Sequence, residues 1–217
     1  MILIVEGPSA VGKTTWCRGR AGKDFIPEAP EDVDAPDPVA DPEGAARFWV
    51  AFNAERWRRA RSCERKKGMA VCDTDPFHLY YGWALWKAGL AGPELFEAGR
   101  SLYIAAIAAR EIGFGEPVVW LIEPDSTLRA RATLDKTRNR KQLEKHILLV
   151  PWMHAWFQAR ERVLSTRATP HAPGEDDSQS RRYDPALADK IIALAEAVGP
   201  LSTKSPGTTS APIGDRH

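Results

Sequence analysis

An apolar run at residues 2–5 is followed at once by a turn between two glycines, and this pairing restricts the possible folds more than any other pattern here. The run, ILIV, is rich in β-branched residues, which is typical of a parallel strand covered on both faces. The turn, GPSAVGKT at residues 7–14, leads into a helical pattern from Lys13 to about Arg20. Strand, turn and helix together predict the start of an α/β domain.

The turn fits the pattern G-x-x-x-x-G-K-[ST] at every fixed position. Glycines in such a turn let backbone N–H groups close around phosphate oxygens, and the helix N-terminus adds its positive end. A lysine there meets the outer phosphates, and a hydroxyl reaches Mg²⁺. We therefore predict binding of ATP, or another nucleoside triphosphate, with Mg²⁺. The predicted nucleotide-binding residues are Gly7, Ser9, Ala10, Val11, Gly12, Lys13, Thr14 and Thr15.

A second apolar run, MAVC at residues 69–72, ends on Asp73. Phosphoryl transfer needs a carboxylate near the metal, usually at the end of a neighbouring strand. Asp73 is therefore predicted to bind Mg²⁺ together with Thr14. The alternatives are a capping or turn role for Asp73, or a metal role for Asp75.

The rest of the chain alternates short strands with helices. Phe25-Ile26 is a candidate strand, and residues 118–122 form a clearer one. Helical patterns cover residues 44–67, 93–112, 142–165 and 185–198. This order favours a parallel sheet with helical crossovers. We expect one domain over residues 1–200 and a disordered tail at 201–217.

Basic residues are concentrated before the helix predicted at residues 142–165. Such a run is often a solvated helix face. Its place after a late strand instead favours a lid, at about residues 128–145, that closes over the transferred phosphoryl group. Within it, Arg138 and Arg140 are the predicted catalytic arginines. Lys13 is the third predicted catalytic cation.

Over residues 1–167 the chain resembles the P-loop small-molecule kinases of the nucleoside and nucleotide kinase superfamily. Asp73-Thr74-Asp75 is similar to the strand-end motif of the nicotinamide-riboside kinase type. The segment FIPEAP, residues 25–30, is similar to the Glu-Pro region of deoxynucleoside kinases, where the glutamate lies beside the acceptor hydroxyl. The resemblance implies a three-layer P-loop NTPase fold, a parallel sheet flanked by helices, with an arginine-rich lid.

The acceptor is expected at the carboxyl ends of the strands, as in other open α/β sheets. Glu28 follows the candidate second strand, so it is the predicted proton acceptor, with Asp73 or Asp75 as open alternatives. The predicted substrate-binding residues are Trp49, Phe52, Asn53, Arg56, Asp75, Phe77 and Tyr81. About half of these are expected to be packing residues, because an aromatic at helical spacing usually lies in the core. His146 and His154 lack a metal-binding spacing and are assigned no site.

These patterns predict an ATP-dependent kinase that phosphorylates a hydroxyl of a small molecule, with a nucleoside or nucleoside-like compound as one candidate and the identity of the acceptor left open. The alternatives are an antibiotic-modifying kinase of the same fold and a nucleotide-dependent regulatory ATPase. A formal net charge of +1 offers no global attraction to nucleic acid or an anionic membrane, so neither is an expected partner. Three cysteines form no even disulfide framework, which favours a reduced, cytoplasmic protein. A homodimer is left open.

Overall fold

The computed structural model describes residues 1–30, 33–135, 142–165 and 181–198. Its centre is a parallel sheet of three strands: β1 (Ile2–Glu6), β2 (Ala70–Asp73) and β3 (Val118–Trp120). The strand order is β2-β1-β3, so the first strand in the sequence is the middle one. The predicted α/β class, a parallel sheet flanked by helices, is confirmed.

Each face of the sheet is covered by a different helix. Alternate residues of a strand point to opposite faces. Ile2 and Ile4 pack with Trp57 of helix α2 (Pro42–Lys67). Leu3 and Val5 pack with Cys17 of helix α1 (Lys13–Ala21). The apolar residues 2–5 of β1 are therefore explained by packing on both faces of the sheet.

Helix α2 has clear signals at both ends. Its N-cap is Asp41, whose Oδ1 accepts a hydrogen bond of 2.8 Å from the backbone N–H of Gly44. Pro42 occupies the first turn, where its missing N–H costs nothing. The helix ends at Gly68, which adopts the left-handed conformation with φ of 77°.

Five further helices follow in the described residues: α3 (Leu79–Lys87), α4 (Glu94–Ala108), α5 (Asp125–Leu134), α6 (Leu143–Ser165) and α7 (Pro185–Val198). The largest hydrophobic core lies among α3, α4, α6 and α7. It contains the fully buried rings of Phe77, Trp83 and Trp156. None of the described helices is both long and apolar enough to cross a membrane.

Some elements differ from the sequence-based predictions. At the candidate second strand only a single parallel bridge forms, between Ile26 and Cys72, because Pro27 follows directly. Strand β3 ends at Trp120 rather than at residue 122. No element was predicted for the aromatic segment at residues 77–86, but most of it lies in α3 (Leu79–Lys87). The predicted tail at residues 201–217 lies outside the described residues.

The register of the sheet brings the two motif-bearing strand ends together. Val5 is paired with Asp73, one residue before β1 ends. Because the strands are parallel, both carboxyl ends lie at the same edge of the sheet. The turn at residues 7–14 therefore begins directly beside Asp73.

Candidate functional site

The segment at residues 7–14, here called the glycine loop, contains backbone conformations that are favourable for glycine and unfavourable for other residues. Gly7 and Gly12 have φ of 146° and 103°. A Cβ atom at Gly7 would collide with the carbonyl oxygen of Leu121. Ala10 also has a positive φ, 66°, which is uncommon for a residue with a side chain. The loop is thus a strained, closely packed turn.

The N-terminus of α1 opens directly from this loop. Gly12 caps the helix with no side-chain hydrogen bond, and the first turn carries no acidic residue. The first-turn amides of a helix have no intrahelical acceptor, so the positive end of α1 remains available to an anion. Ser9 and Ala10 are half-buried beside this end, whereas Thr15 is exposed.

Lys13 and Thr14 begin α1 and turn toward the loop and toward β2. Lys13 Nζ donates a hydrogen bond to the carbonyl oxygen of Gly7 at 3.0 Å. Thr14 Oγ1 donates to Asp73 Oδ2 at 2.6 Å. The predicted metal ligands, Thr14 and Asp73, are therefore in direct contact, although they are far apart in the sequence.

Asp73 is nearly fully buried at the end of β2, with 1% of its surface exposed. Burial raises the pKa of Asp73, and Glu28 acts in the same direction, whereas the hydrogen bond from Thr14 and the charge of Lys13 lower it. Its second oxygen, Oδ1, is buried and has no hydrogen-bond partner within the described chain. A buried carboxylate oxygen without a partner is costly, and a cation or water would satisfy it.

Arg56 reaches the site from α2, but it binds backbone rather than lining a pocket. Its guanidinium donates to the carbonyl oxygens of Asp73 and Thr74, at 2.5 and 2.9 Å, and to that of Pro27 at 2.9 Å. Thr74 has a positive φ of 75°, which a β-branched residue rarely adopts. Arg56 therefore holds a strained strand end in place through its hydrogen bonds to backbone carbonyls, and its predicted contact with substrate stays a prediction.

Three other predicted substrate residues are also buried structural residues. Asp75 lies 3.3 Å from Arg160 of α6, and both are almost fully buried. Phe77 packs in the core against Trp156. Asn53 donates to Tyr103 Oη at 3.1 Å and accepts from Arg56. Because these side chains are enclosed by protein, they offer no open surface to a ligand.

Glu6, which the sequence analysis did not single out, ends β1 just before the glycine loop. Its Oε1 accepts hydrogen bonds from the backbone N–H of Asp75 at 2.7 Å and from Tyr80 Oη at 2.8 Å. Burial raises the pKa of Glu6 to about 7, although Lys13 and these hydrogen bonds oppose the rise. The sequence signal that could have identified Glu6 is an acidic residue at the end of an apolar run.

Half-buried rings from three helical regions form a continuous surface beside the site, here called the aromatic wall. Its members are Trp49, Phe52, His78, Tyr81 and His146. The Trp49 ring lies 5.8 Å from Phe52 and 6.4 Å from His78. His78 is stacked on Tyr81 at 5.3 Å. Tyr81 Oη lies 3.2 Å from His146 Nε2. Trp49, Phe52 and Tyr81 are among the predicted substrate-binding residues, whereas His146 was assigned no site.

Glu28 is half-buried near the aromatic wall and the end of β2. The charge of Glu28 raises the pKa of Asp73. Burial is the main cause that raises the pKa of Tyr81 to about 12, and the charge of Glu28 adds to this effect. Burial lowers the pKa of His78 to about 3, with Arg56 and Lys13 adding to the effect and Glu28 opposing it. His78 is therefore neutral at pH 7. Glu28 supplies the negative charge on this side of the site.

Helix α5 contacts the glycine loop through an arginine. One nitrogen of Arg131 donates to the carbonyl oxygen of Val11 at 3.0 Å, and another donates to Glu123 at 2.8 Å. The Val11 side chain also packs with Leu128 of α5 and with Ile147 of α6. The base of the predicted lid is thus attached to the loop.

Across the predicted lid, Arg129 forms two hydrogen bonds of 2.9 Å with Glu144 at the start of α6. This pair ties together the two helices that flank residues 136–141. Arg138 and Arg140 fall in that segment, outside the described residues, so their catalytic role stays a prediction.

In the described part of the chain, no group of three or more His, Cys, Asp or Glu side chains could hold a metal ion. Any cation at the Thr14–Asp73 pair would therefore need further oxygen ligands from a bound molecule or from water. Comparison with models of known protein families and with curated proteins finds no match to this chain.

Proposed function

We propose that this protein is a P-loop kinase that transfers the γ-phosphoryl group of ATP, or of another nucleoside triphosphate, to a hydroxyl of a small molecule. The observation that carries the proposal is the 2.6 Å hydrogen bond between Thr14 and Asp73. It joins the helix that follows the glycine loop to the end of the adjacent parallel strand. A hydroxyl and a carboxylate in that relation are what a triphosphate with Mg²⁺ requires.

The glycine loop supplies the phosphate-binding part of the proposal. The uncapped N-terminus of α1 favours a polyphosphate by its unpaired amides and its dipole. Lys13 Nζ, which lies 3.0 Å from the Gly7 carbonyl oxygen, is within the loop itself. A fixed positive charge at this point stabilises negative charge that shifts toward the transferred group.

The residues also fit a magnesium ion. Asp73 Oδ1 is a buried oxygen with no partner in the described residues, and Thr14 Oγ1 is adjacent to the same carboxylate. Mg²⁺ commonly takes one or two protein ligands and completes its shell with phosphate oxygens and water. When bound, the ion would neutralise charge on the phosphate oxygens.

On the acceptor side, Glu28 is the proposed general base. Asp73 is the proposed metal ligand and Asp75 is fully buried beside Arg160, whereas Glu28 is half-buried. Glu28 lies within electrostatic reach of Asp73, His78 and Tyr81. The aromatic wall would hold a planar part of the acceptor while its hydroxyl faces Glu28.

Formation of ADP in the presence and absence of candidate acceptors tests this function. The panel contains nucleosides, sugars and aminoglycosides, because the aromatic wall suits a ring and Glu28 also suits a cation. We expect at least one member to stimulate ADP formation and to be recovered with one added phosphate. A regulatory ATPase would instead release ADP at a rate that no member of the panel changes. Failure of the protein to bind any nucleoside triphosphate with Mg²⁺ in calorimetry would overturn the proposal.

A further inference from the structure

Glu6 holds together three segments that surround the proposed nucleotide site. It is 1% exposed and lies at the end of β1. Its Oε2 accepts a hydrogen bond from the Gly7 N–H at 3.2 Å, and its Oε1 accepts from the Asp75 N–H and from Tyr80 Oη. These donors belong to the glycine loop, to the connection after β2 and to α3. The carboxyl group is thus a structural junction behind the loop.

All three of these donors are neutral groups. Among the described residues, no lysine or arginine forms an ion pair with Glu6, and Lys13 of α1 acts on it only through its field. The other titratable groups that face it are Asp75, from the β2–α3 connection, and Tyr80 of α3. Asp75 repels a charged Glu6. Desolvation outweighs the favourable contacts and places the pKa of Glu6 at about 7.

The two oxygens of the carboxyl group are not equivalent. Oε1 accepts the two short bonds, of 2.7 and 2.8 Å, whereas Oε2 accepts only the longer bond from Gly7. A proton on Oε2 therefore leaves both short bonds intact. It also removes a negative charge that would repel a polyphosphate in the loop and would oppose the positive charge of Lys13.

We propose that Glu6 is a positioning residue that takes up one proton from solvent when a polyphosphate binds in the glycine loop. In both states its carboxyl group holds Gly7, Asp75 and Tyr80 together. In the bound state it is neutral, so that the full charge of Lys13 acts on the phosphates. This inference rests on the proposed nucleotide-binding function.

The variant Glu6→Gln removes the negative charge of the side chain and nearly preserves its shape. The amide carbonyl of glutamine can accept from Asp75 and Tyr80 as Oε1 does, whereas its NH2 group cannot accept the long bond from the Gly7 N–H. The glutamine side chain stays neutral at every pH. The probe is a non-hydrolysable ATP analogue with Mg²⁺, and calorimetry from pH 6 to pH 8 measures its affinity. Relative to Glu6→Gln, we expect the affinity of the wild-type protein to fall about tenfold over this range. Titration of the analogue itself cancels in that ratio.

At pH 8 the variant should therefore bind the analogue about tenfold more tightly than the wild-type protein, and at pH 6 the two should bind alike. A purely structural role for Glu6 would give the opposite result, with weaker binding by the variant at every pH. A ratio of affinities that is constant from pH 6 to pH 8, or a variant that binds more weakly at pH 8, would overturn the inference.

A second measurement uses the wild-type protein alone and does not depend on the folding of the variant. Binding enthalpies at pH 7.5 in buffers of different ionisation enthalpy report protons taken up per analogue bound. We expect uptake of most of one proton. Tight binding without proton uptake overturns the role of Glu6 and leaves the kinase proposal standing. The absence of binding at every pH overturns both.

Discussion

The two sides of the candidate site are built in different ways. The nucleotide side consists of eight consecutive residues, the glycine loop, plus Asp73 from the adjacent strand. The acceptor side consists of side chains from α2, from the start of α3 and from α6, with Glu28 from a connecting segment. One side is therefore defined by local backbone geometry and the other by the packing of distant helices.

In the proposed kinase, this difference assigns phosphoryl transfer to the nucleotide side and the choice of acceptor to the other side. Backbone amides and one lysine can bind a polyphosphate whatever the acceptor is. The aromatic wall can change by substitution of half-buried rings without any change in the loop. Substitutions on the nucleotide side should therefore reduce turnover itself, whereas substitutions in the wall should mainly change acceptor affinity.

The largest effect should come from Lys13→Ala. Loss of a fixed charge aimed at the transferred group should lower kcat about 10³-fold, while the fold is retained. The measurement is acceptor-stimulated ADP formation, accompanied by thermal unfolding. Lys23→Ala is the matched control, because Lys23 is exposed in the turn after α1. Full turnover by a folded Lys13→Ala protein would contradict the assignment of the nucleotide side.

Glu6→Gln should change the pH dependence of stability. The pKa of Glu6 rises on folding from 4.5 to about 7 because of burial, so the folded state keeps a proton that the unfolded state has lost. This stabilisation is complete below about pH 4.5 and is lost as pH rises through 7. Between pH 5 and pH 8 the wild-type free energy of unfolding should fall by about 2 to 3 kcal/mol relative to that of the variant.

Urea unfolding of both proteins at pH 5 and pH 8 measures this difference. His78 contributes the opposite slope, because burial lowers its pKa to about 3 and its stabilisation is lost as pH falls below 6.5. Both proteins contain His78, so its effect cancels in the comparison. Parallel pH profiles for the two proteins would show that Glu6 does not titrate in this range.

On the acceptor side, Glu28→Gln should lower kcat about 10²-fold and leave nucleotide affinity unchanged, because a general base acts on the acceptor hydroxyl. Steady-state kinetics with the acceptor varied at saturating ATP gives both constants. Glu55→Gln is the control, since Glu55 is exposed on α2 and pairs with Arg58. A higher KM for the acceptor with unchanged kcat would make Glu28 a binding residue rather than a base.

The smallest effect expected is that of Trp49→Ala. Removal of one ring from the aromatic wall should raise the KM for the acceptor about tenfold and leave kcat nearly the same. Trp86→Ala is the matched control, because it also removes a half-buried tryptophan ring, but Trp86 stacks on Phe96 outside the aromatic wall. Equal kinetic effects of the two substitutions would remove Trp49 from the acceptor side.

The strand, the turn and the helix at the start of the chain were predicted from the sequence because their signals are local, whereas nucleotide binding stays a prediction. A glycine-lysine-threonine pattern after an apolar run defines a turn and a helix start, and the chain around residues 7–14 has that form. The parallel sheet was predicted for the same reason, from short apolar runs separated by helical patterns. Element ends were less accurate, as β3 shows, because pairing between strands decides where a strand stops.

The acceptor side was only partly predictable, since a half-buried ring and a core ring have the same sequence pattern. Phe77 and Trp49 are both aromatics near predicted strand ends or helix faces, yet only Phe77 lies in the core. Arg56 and Asp75 were chosen for their charge, and tertiary contacts with backbone and with Arg160 decide their roles. His146 was assigned no site because it lacks a metal-binding spacing, and its contact with Tyr81, which is distant in the sequence, could not be predicted from that pattern.

The central position of β1 has a consequence for synthesis of the chain. Strand β1 is made before both of its neighbours, so its two edges are paired only after β2 and then β3 have been made. At a usual rate of translation this interval is roughly 10 s, during which at least one edge of a mainly apolar strand lacks its partner. The nascent chain therefore carries an incompletely paired apolar strand next to its glycine loop until β3 has emerged from the ribosome.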